Sequence, residues 1–210
     1  AGVSLERVAG IALTHEHGDH TAGAPLLARD LGVPVACTGG TWSRLRLKMG
    51  ATQHLPLSMT TTVELGPFRI EAADISHDAL EPLALAISTD RASIGVAYDL
   101  GRPTAAVRYL LRNRTALVLE ANHDDVLLRT SGYPAAVQQR IAGAGGHLSN
   151  RAAAEQGDGG SVGIVNRIRE QNLVARLEEH AERQREAARG AVRDQDFAGW
   201  IVRQALVAQQ

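Results

Sequence analysis

Residues 15–20 read His-Glu-His-Gly-Asp-His, so four metal-ligating side chains, His15, His17, Asp19 and His20, fall within six positions. With eight histidines in 210 residues, chance would place H-x-H-x-D-H in roughly one sequence in two thousand, which sets accident aside. Imidazole combined with carboxylate suits zinc, manganese or iron, whereas all-oxygen sets suit magnesium or calcium. The flanks constrain the fold. Residues 8–13 are an apolar, strand-like run that ends at Thr14. Beyond the motif, Ala24, Leu26, Leu27 and Leu31 recur at near-helical spacing until Gly32 and Pro34 stop the helix. The ligands therefore lie on a strand-to-helix turn. There His15 and His17 would face one ion while Asp19 and His20, one step further round, face a second. Two ions about 3.5–4 Å apart are a known means of polarising an ester and activating water.

Length fits one domain of ordinary size, or one with an appendage. A formal net charge of −1 excludes a broadly basic protein but leaves room for a local basic patch. The single cysteine, Cys37, permits no internal disulfide and reads as a small buried hydrophobe in a reducing compartment. No apolar run approaches membrane-spanning length and no signal-peptide pattern opens the chain, so a cytoplasmic protein without a membrane partner is expected. The chain opens on Ala1 and runs at once into the metal loop, which suggests a fragment or an atypical gene product.

Along residues 1–155, short strands and helices alternate. Residues 34–38 read as a strand and 41–49 as a helix closed by Gly50, with Leu45 and Met49 on one side. From 62 to 99 successive strands are separated by tight turns: TVEL, FRIEAADIS, LALAIST and ASIGVAYD. Pro103 starts a helix to Arg112, ALVLE (116–120) is a buried-type strand, and 126–129 and 135–142 are short helices. This pattern predicts sheets flanked by helices, layered α/β or α+β. Residues 156–163 read as a Gly-rich linker. A helical tail over 164–210 follows, with Val165, Ile168, Leu173, Val174, Leu177 and Ala181, then Phe197, Trp200 and Ile201, as apolar faces suited to packing on the domain or on a second copy.

Further ligand candidates stand where strands end. His77 closes one apolar strand and Asp99 another, and a carboxylate at Asp99 would bridge two cations through its two oxygens. His123 follows ALVLE, either supporting a ligating imidazole or lying in a capping loop with Asp124 as helix N-cap. His147 sits between Gly145-Gly146 and a Leu148-Ser149-Asn150 helix start, a compact turn whose free N–H groups would suit a phosphate. His54 and His180 are assigned to packing or solvent.

The segments THEHGDH (14–20), SHDALEP (76–82), AYDLG (97–101), EANHDD (120–125), SGYP (131–134) and GHLSN (146–150) together resemble the metallo-β-lactamase superfamily. More narrowly, they resemble its bacterial YycJ/WalJ-type exonuclease-like branch, over residues 1–155. The resemblance implies a four-layered αβ/βα sandwich with a dinuclear metal site at one edge and phosphodiester hydrolysis, mainly of DNA, through a metal-bound hydroxide. It implies that His15, His17 and His77 bind one divalent ion, zinc above manganese or iron. Asp19 and His20 would bind the other, with Asp99 between them. On that reading Asp19 or Asp99 would orient the hydroxide and His147 would donate to the leaving oxygen, with His123, Ser149 and Asn150 supporting the ligands or touching substrate.

Two departures from the family stand out: the strands ahead of the metal loop and the H-L-S segment carrying a last histidine ligand have no counterpart here. A smaller one is Leu83-Ala84-Leu85, which replaces a glycine-aromatic step. Two rival readings follow. One is a hydrolase of thioesters, lactones or cyclic phosphates on the same scaffold. The other is a catalytically impaired metal-binding remnant that associates through its tail.

Overall fold

A 3-10 turn at Leu5–Arg7 leads into strand β1 (Ile11–Ala12), which delivers the chain to the histidine motif. The computed structural model describes residues 4–156 and the strand at 162–165. After β1 come α1 (Gly18–Thr21), α2 (Ala24–Leu31), β2 (Val35–Cys37), α3 (Gly39–Met49) and β3 (His54–Pro56). The three strands form one parallel sheet in the order β1-β2-β3. The second sheet runs β4 (Val63–Leu65), β5 (Phe68–Asp74), β6 (Leu83–Ser88), β7 (Ser93–Ala97), β8 (Ala116–Glu120) and β9 (Val162–Val165), neighbours in that order. From β4 to β7 it is an antiparallel meander; β8 and β9 then join in parallel. Helix α4 (Ala105–Leu111) makes the crossover from β7 to β8, as a parallel pair requires. Helices α5 (Asp125–Arg129), α6 (Ala135–Ala142) and α7 (Asn150–Gln156) follow β8.

The period-2 alternation of the strands sorts their side chains into three apolar layers. On β2, Val35 and Cys37 face α2 and α3 together with Leu13, Ala28, Leu45 and Met49. Ala36, between them, faces the second sheet, where it meets Leu65, Ile70, Ala72, Leu83 and Leu85. On β6 the residues that alternate with those leucines, Ala84 and Ala86, turn the other way, toward Val107 and Leu111 of α4, Leu119 of β8 and Ala153 of α7. Helices, sheet, sheet and helices are thus stacked as an αβ/βα sandwich, and the expected fold class is the observed one.

Several local expectations need correcting. The spacing of Ala24, Leu26, Leu27 and Leu31 marks a real helix, α2, but it buries Ala24, Pro25 and Ala28 and leaves Leu26 and Leu27 58% and 40% exposed. Small residues let the helix lie close on the parallel sheet, and the leucines are left on the rim. Gly32, with φ 64°, closes that helix in the left-handed conformation favoured for glycine. His54 lies on a strand that the sequence hid behind Pro56. Its side chain packs, as assigned, with the ring stacked on Trp42 (centroids 4.4 Å, interplanar angle 3°) and Nε2 3.0 Å from the Cys37 carbonyl oxygen. The linker expected over 156–163 and the helix expected from Ile164 are interrupted by β9, whose Cα register runs from Leu117↔Val162 to Glu120↔Val165. Val-Gly-Ile-Val is rich in β-branched residues, and the open side of β8 offers it a ladder of unpaired amides. The rest of the expected helical tail, with His180, lies outside the described residues.

Candidate metal centre

Every residue of the candidate centre leaves the sandwich at the same edge. Thr14 to His20 follow β1, His77 follows β5, Asp99 follows β7, and Glu120 is the last residue of β8. Because β7 and β8 are adjacent and parallel, the carboxylates that end them, Asp99 and Glu120, emerge side by side. His147 comes from the turn between α6 and α7. That turn lies against Gly101, where a Cβ would stand 1.9 Å from the Ala144 carbonyl oxygen; only glycine permits this approach. Asp99 itself has φ 52°, a left-handed conformation that Asp tolerates better than most residues and that recurs at functional sites.

The nitrogens and oxygens converge on two adjoining points. His15 Nε2, His17 Nδ1, His77 Nε2 and an Asp99 oxygen form one group, and Asp19, His20 and Asp99 a second, each with its ligating atoms within 4.8 Å of one another. In the first, His15 Nε2 lies 3.1 Å from His17 Nδ1 and 3.4 Å from Asp99 Oδ2, His77 Nε2 lies 3.3 Å from His17 Nδ1, and His77 Nε2 is 3.9 Å from Asp99 Oδ2. Two ligands about 2.0–2.2 Å from one tetrahedral cation stand roughly 3.3–3.6 Å apart, so these spacings suit a cation at their centre. In the second group, His20 Nε2 is 3.8 Å from Asp19 Oδ2 but only 2.6 Å from Asp99 Oδ2, a contact that must open by under about 1 Å to admit an ion. Asp99 belongs to both groups, but through one oxygen, Oδ2, rather than the expected two, because Oδ1 is turned to His147. The donor set, imidazole-rich with two carboxylates, fits a borderline cation. The Nδ1 of His77 is buried and unpartnered, in keeping with a ring fixed by what its Nε2 meets.

The electrostatics favour ligation. Burial, reinforced by the charge of His20, pushes His15 down to about 4, so at neutral pH its ring is an uncharged ligand with a free lone pair. Burial works to raise the Asp99 carboxyl, but hydrogen bonds from His147 and His20 outweigh it and hold it well below the usual carboxylate range. His147 is the counterpart. Its Nδ1 lies 3.2 Å from Asp99 Oδ1 and 2.6 Å from Glu120 Oε1, and these hydrogen bonds push it up to about 10 against the opposing effect of burial. It is a cation at neutral pH.

Glu120 is the residue that the sequence did not single out. It is buried, and besides His147 it accepts from the backbone N–H of Leu100 (2.8 Å) and Leu148 (3.2 Å), tying the Asp99 loop to the His147 loop. The signal was its place at the end of ALVLE, beside the strand that Asp99 ends. The free-amide cradle expected around His147 is not what forms. The N–H of Gly146, His147, Leu148 and Asn150 donate to Gly143 O, Ile141 O, Glu120 Oε2 and His123 O, so the turn consumes its own donors. Ser149 caps α7 by accepting from Ala152 N–H, and Asp124 caps α5 by accepting from Val126 and Leu127. His123 bridges to Ser149, and its Nδ1 and Asn150 Oδ1 are buried without partners.

Fold and site together define a metal-binding sandwich of the β-lactamase type, and the beta-lactamase superfamily domain matches residues 2–158; the chain belongs to that superfamily. It is 31% identical over 157 residues to Exodeoxyribonuclease YycJ of Bacillus anthracis, covering 73% of this chain and 60% of the relative. It is 33% identical over 150 residues to Exodeoxyribonuclease WalJ of Streptococcus pneumoniae, covering 69% and 56%. The chain thus spans less than two thirds of the length of these relatives. Among solved structures, the fold is shared with Zn(2+)-bound PqqB from Methylobacterium extorquens (15% identity, TM-score 0.61, 82% of this chain and 66% of that one). It is shared also with human tRNase Z, short form (16% identity, TM-score 0.55, 79% and 74%). Among the described residues no helix is long and apolar enough to cross a membrane.

Proposed function

We propose that the chain is a metal-dependent phosphodiesterase acting on DNA, with two divalent cations, zinc foremost, held by His15, His17 and His77 on one side and by Asp19 and His20 on the other. Asp99 serves both. The observation that carries this reading is the convergence of six ligand-type side chains at one edge of the sandwich, with a cationic imidazole beside them. The names of the two relatives favour DNA as substrate. The cations would supply Lewis-acid activation of water and neutralise the non-bridging oxygens of a phosphodiester.

The chain's own residues do the rest. The Asp19 and Asp99 carboxylates accept hydrogen bonds from the attacking water and fix its direction. His147, held between Asp99 and Glu120, presents its other ring N–H toward the leaving oxygen. There it stabilises developing charge and then passes on a proton. Ser149 and Asn150 begin the helix behind it, and His123 lies beneath. A cytoplasmic setting matches the one buried, unbridged cysteine. Association of copies through residues 164–210 stays part of the proposal.

Turnover of bis(p-nitrophenyl) phosphate and of end-labelled DNA by the zinc- or manganese-loaded chain tests the reading. Asp19→Ala removes a ligand and a water-orienting group together, so turnover should fall to background while the circular dichroism spectrum is kept. Undiminished turnover in that variant would assign the activity elsewhere. A thioester or lactone cleaved in preference would select the rival hydrolase, and metal bound without any turnover the impaired remnant.

A further inference from the structure

One side chain in the motif touches both groups of ligands without belonging to either. Thr14 is anchored on two sides: Leu13 N–H donates to Ala36 O (2.9 Å) in the first sheet, and Leu83 N–H donates to Thr14 O (2.9 Å) from the second. Its hydroxyl Oγ1 lies 3.2 Å from His15 Nδ1 and 3.4 Å from His20 Nδ1. The two rings lean together, centroids 4.1 Å apart and planes at 42°, and each turns its other nitrogen into the site. His15 Nε2 faces His17 and Asp99; His20 Nε2 faces Asp99.

An imidazole that ligates through Nε2 must carry its proton on Nδ1, and the partner of that N–H fixes both tautomer and ring orientation. A hydroxyl oxygen has two acceptor lone pairs, enough for both rings. We propose that Thr14 is a positioning residue for both cations at once, its single oxygen accepting the Nδ1–H of one histidine from each ligand set. The inference rests on the metal reading above and adds a residue to it. Replacing the hydroxyl by a methyl leaves two ring N–H groups without an acceptor. It also frees the protons to move to Nε2, where they compete with the cation.

The test is zinc titration of the metal-stripped full-length chain against a competing chelator, for wild type, Thr14→Val and Thr14→Ser. Thr14→Val should weaken each zinc-binding event by about 10–100-fold, the usual consequence of losing a partner behind a ligating histidine. Thr14→Ser, which keeps the oxygen, should stay close to wild type. Wild-type affinity in Thr14→Val, weakening of one event alone, or equal loss in both variants overturns the proposal. Should Thr14→Val fail to fold, the ring nitrogens of zinc-loaded wild type labelled with 15N-histidine decide instead. Protonated Nδ1 on both His15 and His20 supports Thr14's role, and an unprotonated Nδ1 on either ring overturns it. A wild-type chain that takes up no zinc sinks the metal reading itself, and Thr14's part with it.

Discussion

Cys37 shows how burial alone sets chemistry at a single residue. It lies on β2 in the layer between the first sheet and its helices, with no exposed surface, and burial pushes its thiol up to about 12. The thiolate is the nucleophile, so an alkylating reagent at pH 8 should leave the native chain unmodified and label it rapidly in denaturant. The same burial has a stability consequence. The unfolded thiol ionises near its ordinary 9.0 while the folded one does not, so the unfolded state gains relative to the fold from about pH 9 up to about 12. Melting temperature should therefore fall across that window, and less steeply in Cys37→Ala. Identical slopes in the two proteins would contradict this. Asp99 and His147 show a different cause at work: paired groups, rather than burial, decide their charge.

At the scale of elements, the site depends on loops held at fixed distances by backbone. The turn carrying His147 lies so close to Gly101 that Gly101→Ala must move one loop off the other. The strands beneath are untouched, so the fold should survive while the imidazole shifts. A misplacement of about 1 Å can cost about 100-fold in rate. The expected outcome is a loss of that order in phosphodiester turnover with an unchanged circular dichroism spectrum, and full activity would show that the His147 turn needs no such seat. Much of this arrangement was legible in advance. Strands ending in His77 and Asp99, and a histidine motif on a strand-to-helix turn, are patterns of residue type and position that sequence displays directly. Glu120 was not, because a carboxylate at a strand end ordinarily points to solvent, and only the fold brings to it the Leu100 amide, just past the parallel neighbour β7, and His147 with the Leu148 amide from the turn between α6 and α7. The spacing of Ala24, Leu26, Leu27 and Leu31 located α2 but not its buried face, because packing on the parallel sheet selected the small residues. The amides of the His147 turn looked available because their acceptors are set by the fold: the chain doubles back onto Gly143 O and Ile141 O, and Glu120 reaches it from β8.

For the molecule as a whole, two sheets meet over an apolar layer, and the second is finished by β9, beyond the segment that the superfamily match covers. No local pattern foretold that strand; it forms against the open side of β8. A chain ending at residue 156 bares that side, while one ending at 165 keeps it paired. The shorter chain should melt several degrees lower and scatter more light on heating, and indistinguishable behaviour of the two would deny β9 a part in the fold.

The most direct test of the account is the metal content per chain by emission spectroscopy, after zinc loading and exhaustive exchange into metal-free buffer, for wild type, His77→Ala and His20→Ala. The account predicts two equivalents for wild type and one for each variant, because each substitution removes a ligand from a different group. No bound zinc in wild type, or two equivalents retained in both variants, would contradict it.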